Sequence, residues 1–451
     1  MSDIIAAIAT GRAPCAIGIL RLSGPGCAAL TGRVFTPKQP FADAPDRRLV
    51  LGLLHDRQGR VIDECLGVVC RAPHSYTGEE TVELQCHGSP AMLAAGLEAL
   101  LAAGARQAGP GEFTRRAFLN GKLDLTQAEA VVDLIDAETA DAAANAAGQL
   151  GGALKRAIGP VYDGLTDLCS HFHAVLDYPD EDIEDFGAAE LSGALDRAGA
   201  ALQELLATYE KGRHLRQGVR AVLLGKPNAG KSSLLNQLAG YDRVIVTDIA
   251  GTTRDTVEEP VRVGRVLLRL TDTAGIREAG DAIEALGVAR SEQAAREAEL
   301  ALFVCDASQP LTDEDRRAIE AAKCAPRSLA LCNKSDLPAA VSPDALPFDT
   351  VLTVSARTGA GLDALPALLE GWFLGENACD GSLLTNPRQF GALDRASRAI
   401  ARAKAGLSLG VTPDAVLTDV EEAMAALGEV TGRTVREDIT NRIFERFCVG
   451  K

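Results

Sequence analysis

The stretch Gly225-Lys-Pro-Asn-Ala-Gly-Lys-Ser232 decides the fold of this chain. It follows the apolar run Val219–Leu224, which predicts a strand, and precedes the run Ser232–Ala239, which predicts a helix. Glycines at such a junction let successive backbone N–H groups surround a phosphate, and the helix N-terminus adds partial positive charge. Lys231 is expected to reach the β- and γ-phosphates, and the Ser232 hydroxyl to hold Mg²⁺. The stretch therefore predicts a nucleotide-binding P-loop.

Three further motifs follow in the order that a GTPase requires. Asp272-Thr-Ala-Gly275 ends a predicted strand, where the aspartate can hold Mg²⁺ through water and the glycine N–H can reach the γ-phosphate. Asn333-Lys-Ser-Asp336 ends a second predicted strand, and a carboxylate there can accept two hydrogen bonds from guanine that adenine does not offer. Ser355-Ala-Arg357 follows a third strand and is expected to support the base. Each motif alone is weak evidence for a nucleotide site, but the order and spacing of all of them predict that the bound nucleotide is GTP rather than ATP.

A threonine- and glycine-rich segment, Thr247–Asp255, lies between the P-loop and the aspartate motif. It is typical of a switch loop that a γ-phosphate and Mg²⁺ order, with Thr253 as a second protein ligand of the ion. Ile276 stands where Ras-type enzymes carry the glutamine that orients the attacking water, so this chain needs another group to do so. The residues predicted to contact GTP are Asn228, Ala229, Gly230, Lys231, Ser232, Ser233, Thr247, Asp248, Ile249, Ala250, Gly251, Thr252, Thr253, Asp272, Thr273, Ala274, Gly275, Asn333, Lys334, Asp336, Ser355, Ala356 and Arg357.

Composition narrows the class of protein. The chain has 451 residues, 47% of them hydrophobic and 24% charged, which predicts a soluble globular protein of several domains. Its net charge of −16 argues against a surface that coats nucleic acid, so any RNA contact must use a local basic patch or a partner. Eleven cysteines without a C-x-x-C pair or zinc spacing predict reduced thiols in the cytoplasm. No stretch approaches the roughly 20 apolar residues that span a bilayer.

The order of the patterns predicts an α/β + α fold of three domains. Residues 1–118 carry four predicted strands and a helix that begins at Ser89-Pro90, which indicates an α+β domain. Residues 119–216 are helical, and Thr126-Gln-Ala-Glu129 predicts a capping box at the start of a long helix. A Ras-like GTPase module, 217–376, and a polar linker come next. Residues 377–451 are helical again, so the module is predicted to be inserted into a helical domain.

Polar residues outside the GTPase motifs allow two interpretations each. Arg21, Glu83 and His87 lie within or beside predicted strands, where they form either a ligand site or ordinary outward-facing positions. Cys448 lies between two apolar residues. It is either a buried small hydrophobe or a nucleophile whose pKa a neighbouring base or cation lowers.

The motifs together resemble the MnmE (TrmE) family of bacterial tRNA modification GTPases. The resemblance rests on the P-loop, the switch segment, Asp272–Glu278 and the terminal Phe447-Cys-Val-Gly-Lys451. It extends through Tyr76-Thr-Gly-Glu79, Gly109-Pro-Gly-Glu-Phe113 and Ala117-Phe-Leu-Asn-Gly-Lys-Leu-Asp124, and so covers nearly the whole chain. The related Era and Der families lack the terminal Cys-Val-Gly-Lys.

The resemblance implies which residues form the functional sites, because the motifs of this chain match those that carry functional residues in the family. The family's N-terminal domain binds a tetrahydrofolate derivative (5-formyl- or 5,10-methylenetetrahydrofolate) and drives homodimerisation. The implied folate contacts are Arg21, Glu83, Lys122 and Lys451; the implied K⁺ ligands are Asn228, Thr247, Ile249 and Thr252; the Mg²⁺ ligands are Ser232 and Thr253; and the catalytic residues are Glu284, Lys231 and Cys448. Glu284 matches the glutamate that orients the attacking water through a bridging water. A K⁺ against the phosphates can supply the positive charge that an arginine finger supplies elsewhere.

The implied function is K⁺-dependent GTP hydrolysis in tRNA modification. With an FAD-dependent partner of the MnmG (GidA) type, in a heterotetramer or larger assembly, the family modifies carbon 5 of the wobble uridine of certain tRNAs. The one-carbon unit comes from tetrahydrofolate, and FAD enters only through the partner. One alternative is a ribosome-assembly GTPase resembling Era or Der, although we find neither a KH-type Gly-x-x-Gly loop nor a second P-loop. Another is a folate-binding switch that performs no uridine chemistry itself.

Overall fold

The chain divides into two compact units in the computed structural model. Unit 1 comprises Met1–Val132, Leu150–Gly187 and Arg398–Lys451, and unit 2 comprises Asp133–Gln149 and Ala188–Ser397. The structure describes residues 3–11, 13–37, 40–177, 188–241, 258–272, 292–375, 380–433, 443–444, 447 and 450. This division does not decide the predicted domain boundaries, which stay a prediction. Among the described helices, none is both long and apolar enough to cross a membrane.

Unit 1 contains a seven-stranded sheet in the order β3-β4-β5-β6-β2-β1-β7. All neighbouring strands are antiparallel except β1 and β7. The strands are β1 (Ile5–Ile8), β2 (Cys15–Ser23), β3 (Phe35–Pro37), β4 (Val50–His55), β5 (Val61–Cys70), β6 (Thr81–Gly88) and β7 (Arg106–Gln107). Alternate residues of β2 and β6, including Leu20, Leu22 and Leu84, are buried in the core. The four strands predicted at residues 16–22, 48–54, 66–70 and 81–85 are confirmed as β2, β4, β5 and β6. Strands β1, β3 and β7 are too short for a periodicity to reveal them.

The helices of the two units follow the apolar patterns of the sequence. They are α1 (Cys27–Thr31), α2 (Pro90–Ala102), α3 (Glu112–Leu119), α4 (Leu125–Ile135), α5 (Ala140–Leu150), α6 (Ala153–Asp177), α7 (Ala188–Ala207), α8 (Tyr209–Gln217), α9 (Lys231–Tyr241), α10 (Asp313–Ala322), α11 (Ala364–Phe373), α12 (Pro387–Ser408) and α13 (Pro413–Thr431). Helix α2 begins with the predicted proline in its first turn and buries Leu93 and Leu100 against the sheet of unit 1.

The predicted capping box of α4 is wrong. Asp124, rather than Thr126, caps the helix: its Oδ1 accepts the backbone N–H of Gln127 at 2.9 Å. The Gln127 Oε1 accepts the N–H of Asp124 in return, at 3.0 Å. Thr126 only donates its hydroxyl to the Asp124 carboxylate. Asp124 and Gln127 have the spacing of a capping box, as Thr126 and Glu129 do. Their pair lies two residues earlier in the chain, so the helix begins there.

Unit 2 contains a six-stranded sheet in the order β13-β12-β11-β8-β10-β9. Its strands are β8 (Val219–Leu224), β9 (Glu258–Val263), β10 (Val266–Asp272), β11 (Leu300–Asp306), β12 (Arg327–Asn333) and β13 (Val351–Thr353). All neighbours are parallel except β9 and β10. Parallel strands covered on both faces need continuous apolar runs, and β11 is buried along its whole length. The predicted α/β class of this part is confirmed, and the carboxyl ends of the parallel strands meet at one edge.

The segment after α11 is not the polar linker that the sequence predicts. Leu383 and Leu384 are 3% and 0% exposed. The Leu383 carbonyl accepts hydrogen bonds from Asn145 and Gln149 of α5, at 3.3 and 2.6 Å. A Cβ on Gly212 of α8 would lie 2.2 Å from the carbonyl oxygen of Leu384. The segment is therefore packed, because glycine on the neighbouring helix lets its backbone approach closely.

Candidate nucleotide site

The P-loop joins β8 to α9 at the carboxyl edge of the unit 2 sheet. Gly225 and Gly230 adopt φ values of 143° and 99°, and Asn228 adopts a φ of 62°. A Cβ on Gly225 would lie 2.1 Å from the carbonyl oxygen of Val304, and one on Gly230 would lie 2.1 Å from the Asn333 Nδ2. Both positions therefore require glycine, because a side chain would be strained by the backbone conformation and would collide with neighbouring atoms.

Lys231 begins α9 and folds back over the P-loop. Its Nζ donates to the carbonyl oxygens of Gly225 and Lys226, at 2.6 and 2.9 Å. The side chains of Asn228, Ser232 and Ser233 around it are exposed. The loop therefore carries one ammonium, held by its own carbonyls, beside exposed hydroxyl and amide groups, which are groups that a phosphate site can use.

Asn333 connects the P-loop to the loop after β13. Its Nδ2 donates to the Ala229 carbonyl at 2.8 Å, and its Oδ1 accepts the Ala356 N–H at 2.8 Å. The residue is only 2% exposed. The two loops predicted to hold phosphate and base are therefore joined through one buried amide.

Asp336 faces Ser355 and Arg357, two residues that the sequence groups with it. The Ser355 hydroxyl donates to Asp336 Oδ1 at 2.7 Å, and an Arg357 guanidinium nitrogen lies 3.7 Å from Oδ2. The Ser355 hydrogen bond in particular holds the pKa of Asp336 below its usual value. Asp336 is thus an ionised acceptor above acidic pH, which is the state that guanine recognition needs.

Lys334 adopts a φ of 66°, and its Nζ lies 2.6 Å from Oδ2 of Asp306 at the end of β11. Partial burial alone would raise the pKa of Asp306, but the hydrogen bonds from Lys334 and Ser308 hold it below its usual value. Asp306 lies outside the GTPase motifs of the sequence. Its position at the carboxyl end of an apolar run could have revealed it.

A buried ion pair that the sequence does not reveal ties the P-loop to α10. Lys226 Nζ lies 2.9 Å from Asp315 Oδ2, and their side chains are 13% and 0% exposed. The same oxygen accepts the N–H and the hydroxyl of Thr312, each at 2.8 Å. No local pattern could predict this pair, because 89 residues separate its members.

Several predicted site residues lie outside the described residues. They are Thr247, Asp248, Ile249, Ala250, Gly251, Thr252, Thr253, Thr273, Ala274, Gly275, Glu284, Cys448 and Lys451. Asp272 is described in its main chain alone, which pairs in register with Leu223 of β8. Asp272 therefore ends its strand beside the start of the P-loop.

A second group of predicted residues lies in unit 1, where β2 and β6 pair. Arg21 Nε donates to Glu83 Oε1 at 2.8 Å, and the side chains are 19% and 30% exposed. The Arg21 guanidinium carbon lies 5.7 Å from the centre of the Tyr76 ring and 5.8 Å from that of Phe113. An Arg21 Nη1 also reaches the Gly450 carbonyl, at 3.4 Å. The pair is therefore half-buried beside two aromatic rings rather than simply solvated.

Lys122 belongs to the same predicted folate set. It is exposed, and its Nζ donates to the Pro73 carbonyl at 3.2 Å. A Cβ on Gly78 would lie 3.2 Å from the Lys122 side chain. The structure thus brings Arg21 and Glu83 together and gives Lys122 a backbone partner of its own.

Two family descriptions match consecutive parts of the chain. Residues 4–122 match the family described as "GTP-binding protein TrmE N-terminus". Residues 125–448 match the family described as "MnmE helical domain".

Full-length relatives agree with these matches. A protein of Roseiflexus sp. (strain RS-1) named "tRNA modification GTPase MnmE" is 45% identical over 465 residues, which cover 100% of this chain and 99% of the relative. A protein of Aquifex aeolicus (strain VF5) with the same name is 41% identical over 455 residues, which cover 100% of both chains.

Solved structures offer a weaker likeness. The G domain of the T. maritima FeoB iron transporter is 21% identical, covers 33% of this chain and 94% of its own, and has a TM-score of 0.25. A Sulfolobus solfataricus GTP-binding protein in complex with GDP is 15% identical, covers 46% of this chain and 65% of its own, and has a TM-score of 0.26. At these scores the likeness adds nothing to the assignment.

Proposed function

Because this chain belongs to the MnmE family of tRNA modification GTPases, we propose that it is a K⁺-dependent GTP hydrolase that modifies carbon 5 of the wobble uridine of certain tRNAs. It does so in the cytoplasm, with a FAD-dependent partner of the MnmG type and a one-carbon unit from tetrahydrofolate. GTP hydrolysis is supported by the mostly parallel sheet that carries the P-loop and by the name of the relatives, "tRNA modification GTPase MnmE".

The observation that carries the nucleotide assignment is the buried amide of Asn333, which joins the two loops of the nucleotide site. Lys231 binds the phosphates after its Nζ leaves the carbonyls of Gly225 and Lys226. Asp336, kept ionised by Ser355, accepts from the guanine edge. Glu284 orients the attacking water. These roles position the reactants and place charge where it develops in the transition state.

The oxygen donors around the P-loop fit hard cations. Ser232 is exposed at the start of α9, and Asn228 is exposed at the tip of the P-loop. Mg²⁺ and K⁺ both prefer oxygen ligands, which a hydroxyl and an amide carbonyl supply. We propose that Ser232 and Thr253 hold Mg²⁺, and that Asn228, Thr247, Ile249 and Thr252 hold K⁺. When bound, the cations supply positive charge against the phosphates.

GTP turnover in KCl and in NaCl at equal ionic strength tests the potassium site. We expect a rise specific to K⁺ in the wild type and its loss in Asn228→Ala, because the amide oxygen is then absent. Asn236→Ala, an exposed asparagine on α9, serves as the matched control and keeps the K⁺ response. Equal, slow rates in both salts would remove the K⁺ assignment and leave a generic P-loop GTPase.

We propose that Arg21 and Glu83 contact the tetrahydrofolate derivative, together with Lys122 and Lys451. The half-buried ion pair beside Tyr76 and Phe113 supports this proposal, since a flat ring with polar edges can use aromatic faces and charged hydrogen-bond partners. Calorimetric titration with 5-formyltetrahydrofolate should show at least about tenfold weaker binding to Arg21→Ala. Arg60→Ala, which removes an exposed arginine paired with the buried carboxylate of Asp56, should leave the affinity unchanged. Equal affinities for both variants would contradict the assignment.

Homodimerisation through the N-terminal domain is supported by an exposed apolar face. Leu51 and Leu53 of β4 are 55% and 38% exposed, and Ile17 of β2 is 60% exposed. Residues two apart on a strand share a face, so the two leucines form one apolar row. Light scattering should find a dimer for the wild type and a monomer for Leu51→Glu. A dimeric Leu51→Glu would place the interface elsewhere.

The uridine chemistry separates the remaining alternatives. Cys448 as a nucleophile predicts that Cys448→Ser abolishes modification while GTP hydrolysis persists; loss of both with a lower melting temperature would indicate a buried structural thiol. A modification assay with Glu284→Ala tests the regulatory switch. Full modification by this variant would show that GTP binding is enough and that hydrolysis is dispensable.

A further inference from the structure

Strands β5 and β6 of unit 1 carry a polar cluster that none of the functions above uses. Asp63 and Cys65 lie on β5, and Cys86 and His87 lie on β6. The carboxylate of Asp63 and the thiols of Cys65 and Cys86 all lie within 4.8 Å of one another. We call these three side chains the β5–β6 cluster. Leu66 and Gln85 are partners in the pairing of β5 with β6. Cys65 and Cys86 are their immediate neighbours in sequence, so the strand pairing brings the two cysteines together.

The β5–β6 cluster is withdrawn from water. Cys65 and Cys86 are 4% and 3% exposed, and the Asp63 side chain is 8% exposed. Asp63 Oδ2 accepts the backbone N–H of His87, and Oδ1 lies 2.8 Å from the His87 Nδ1. A hydrogen bond with Cys65, burial and the nearby carboxylate all raise the pKa of the Cys86 thiol. Three groups that can carry negative charge therefore share a confined site, with one imidazole at its edge.

We propose that Asp63, Cys65 and Cys86 bind a divalent metal ion, and that Zn²⁺ is the ion this donor set fits. Two thiolates and a carboxylate are ligands of Zn²⁺, whereas Mg²⁺ and Ca²⁺ use oxygen alone. Sulfur ligands of a tetrahedral zinc lie about 3.8 Å apart, so the side chains need to close by only about 1 Å. Binding releases the thiol protons, and a water completes the coordination.

His87 supports the metal ion from outside. Its side chain is 81% exposed and lies over the Asp63 carboxylate, where the cluster is nearest to solvent. A hydrogen bond from imidazole fixes the orientation of a ligating carboxylate, as outer-shell partners do in metal sites. The nearby carboxylate favours this reading over a simple pair of thiols, because it adds a third ligand.

Titration of the reduced, chelator-treated full-length chain with Co²⁺ tests the proposal, since Co²⁺ bound to thiolate has a characteristic charge-transfer absorption. We expect one equivalent to bind with that absorption and Zn²⁺ to displace it. Cys65→Ala and Cys86→Ala should lose the absorption, and Asp63→Asn should bind at least about tenfold more weakly. Cys15→Ser removes an exposed thiol of β2 and should behave as wild type.

Two further measurements exclude a folding defect. Zn²⁺ should raise the melting temperature of the wild type and not that of Cys86→Ala, because only the former binds the ion in its folded state. All variants should keep the GTP hydrolysis rate of the wild type. The proposal would be overturned by absence of the thiolate absorption in the wild type, by its persistence in a Cys65→Ala/Cys86→Ala double variant, or by undiminished affinity in Asp63→Asn. The proposal would also be overturned if the reduced chain binds no Co²⁺ but loses on air oxidation two thiols that the Cys65→Ala/Cys86→Ala double variant does not lose, which would reveal a redox pair.

Discussion

Substitution of Lys226 by methionine should destabilise unit 2 strongly. Methionine keeps most of the apolar stem but removes the ammonium that lies 2.9 Å from Oδ2 of Asp315. The Asp315 side chain is 0% exposed, and among the described residues its Oδ1 has no hydrogen-bond partner. Removing one member of such a pair leaves a buried charge uncompensated, which costs about 3–5 kcal/mol.

Urea unfolding followed by the fluorescence of Trp372 measures this loss. The chain has one tryptophan, and it packs against the core of unit 2, so its signal reports on that unit. Lys323→Met is the matched control, because the Lys323–Glu320 pair spans 3.0 Å but its side chains are 40% and 71% exposed. An exposed pair contributes at most about 1 kcal/mol. The two lysine substitutions should therefore differ several-fold in effect.

A second substitution isolates the charge itself. Asp315→Asn in the Lys226→Met background removes the stranded charge and keeps an oxygen for the hydrogen bonds from Thr312. We expect the double variant to regain about half or more of the lost stability. The reasoning is refuted if Lys226→Met lies within about 0.5 kcal/mol of Lys323→Met, or if the added Asp315→Asn lowers the stability further.

Two other predictions concern the nucleotide site and acid stability. Gly230→Ala would place a Cβ 2.1 Å from the Asn333 Nδ2 at a φ of 99°. The affinity for GDP, measured by titration with a fluorescent nucleotide, should therefore fall at least about tenfold. Gly371→Ala on α11 is the control, because a Cβ there meets open space, and it should not change the affinity. Partial burial alone would raise the pKa of Glu299, but hydrogen bonds led by that from His214 lower it from 4.5 to about 2. The folded-state pKa is the lower one, so the carboxylate stabilises the protein above about pH 4.5 and this stability is lost as pH falls toward 2. Glu299→Gln should cost up to about 3 kcal/mol at pH 7, and a constant deficit across that acid range would contradict the linkage.

The elements that could be predicted are those whose pattern is local. The strand Val219–Leu224 has the predicted bounds, because a buried parallel strand needs an unbroken apolar run. Strand β1 has only four residues, and its pairing with β2 and β7 is what makes it a strand. The packing of Leu383 could not be predicted either, because its side chain joins the core of unit 2 and its carbonyl is held by side-chain amides of α5, far away in the chain.

The same division holds for the candidate site. The P-loop and Asp336 could be placed at the carboxyl edge from strand order and turn residues. The bridge that Asn333 makes to Ala229 and Ala356 could not, because the motif does not say which way its amide points. Nor could the Lys226–Asp315 pair, since both residues are ordinary surface types until the fold buries them.

The Asn333 bridge has a consequence for nucleotide exchange. One side chain donates to the P-loop at Ala229 and accepts from the loop after β13 at Ala356, the two loops that we propose to bind the phosphates and to support the base. We expect a motion that opens one loop to weaken the anchor of the other, which would couple release of the base to release of the phosphates. A substitution that loosens this amide should therefore relax the choice of base and shorten the lifetime of the bound nucleotide together.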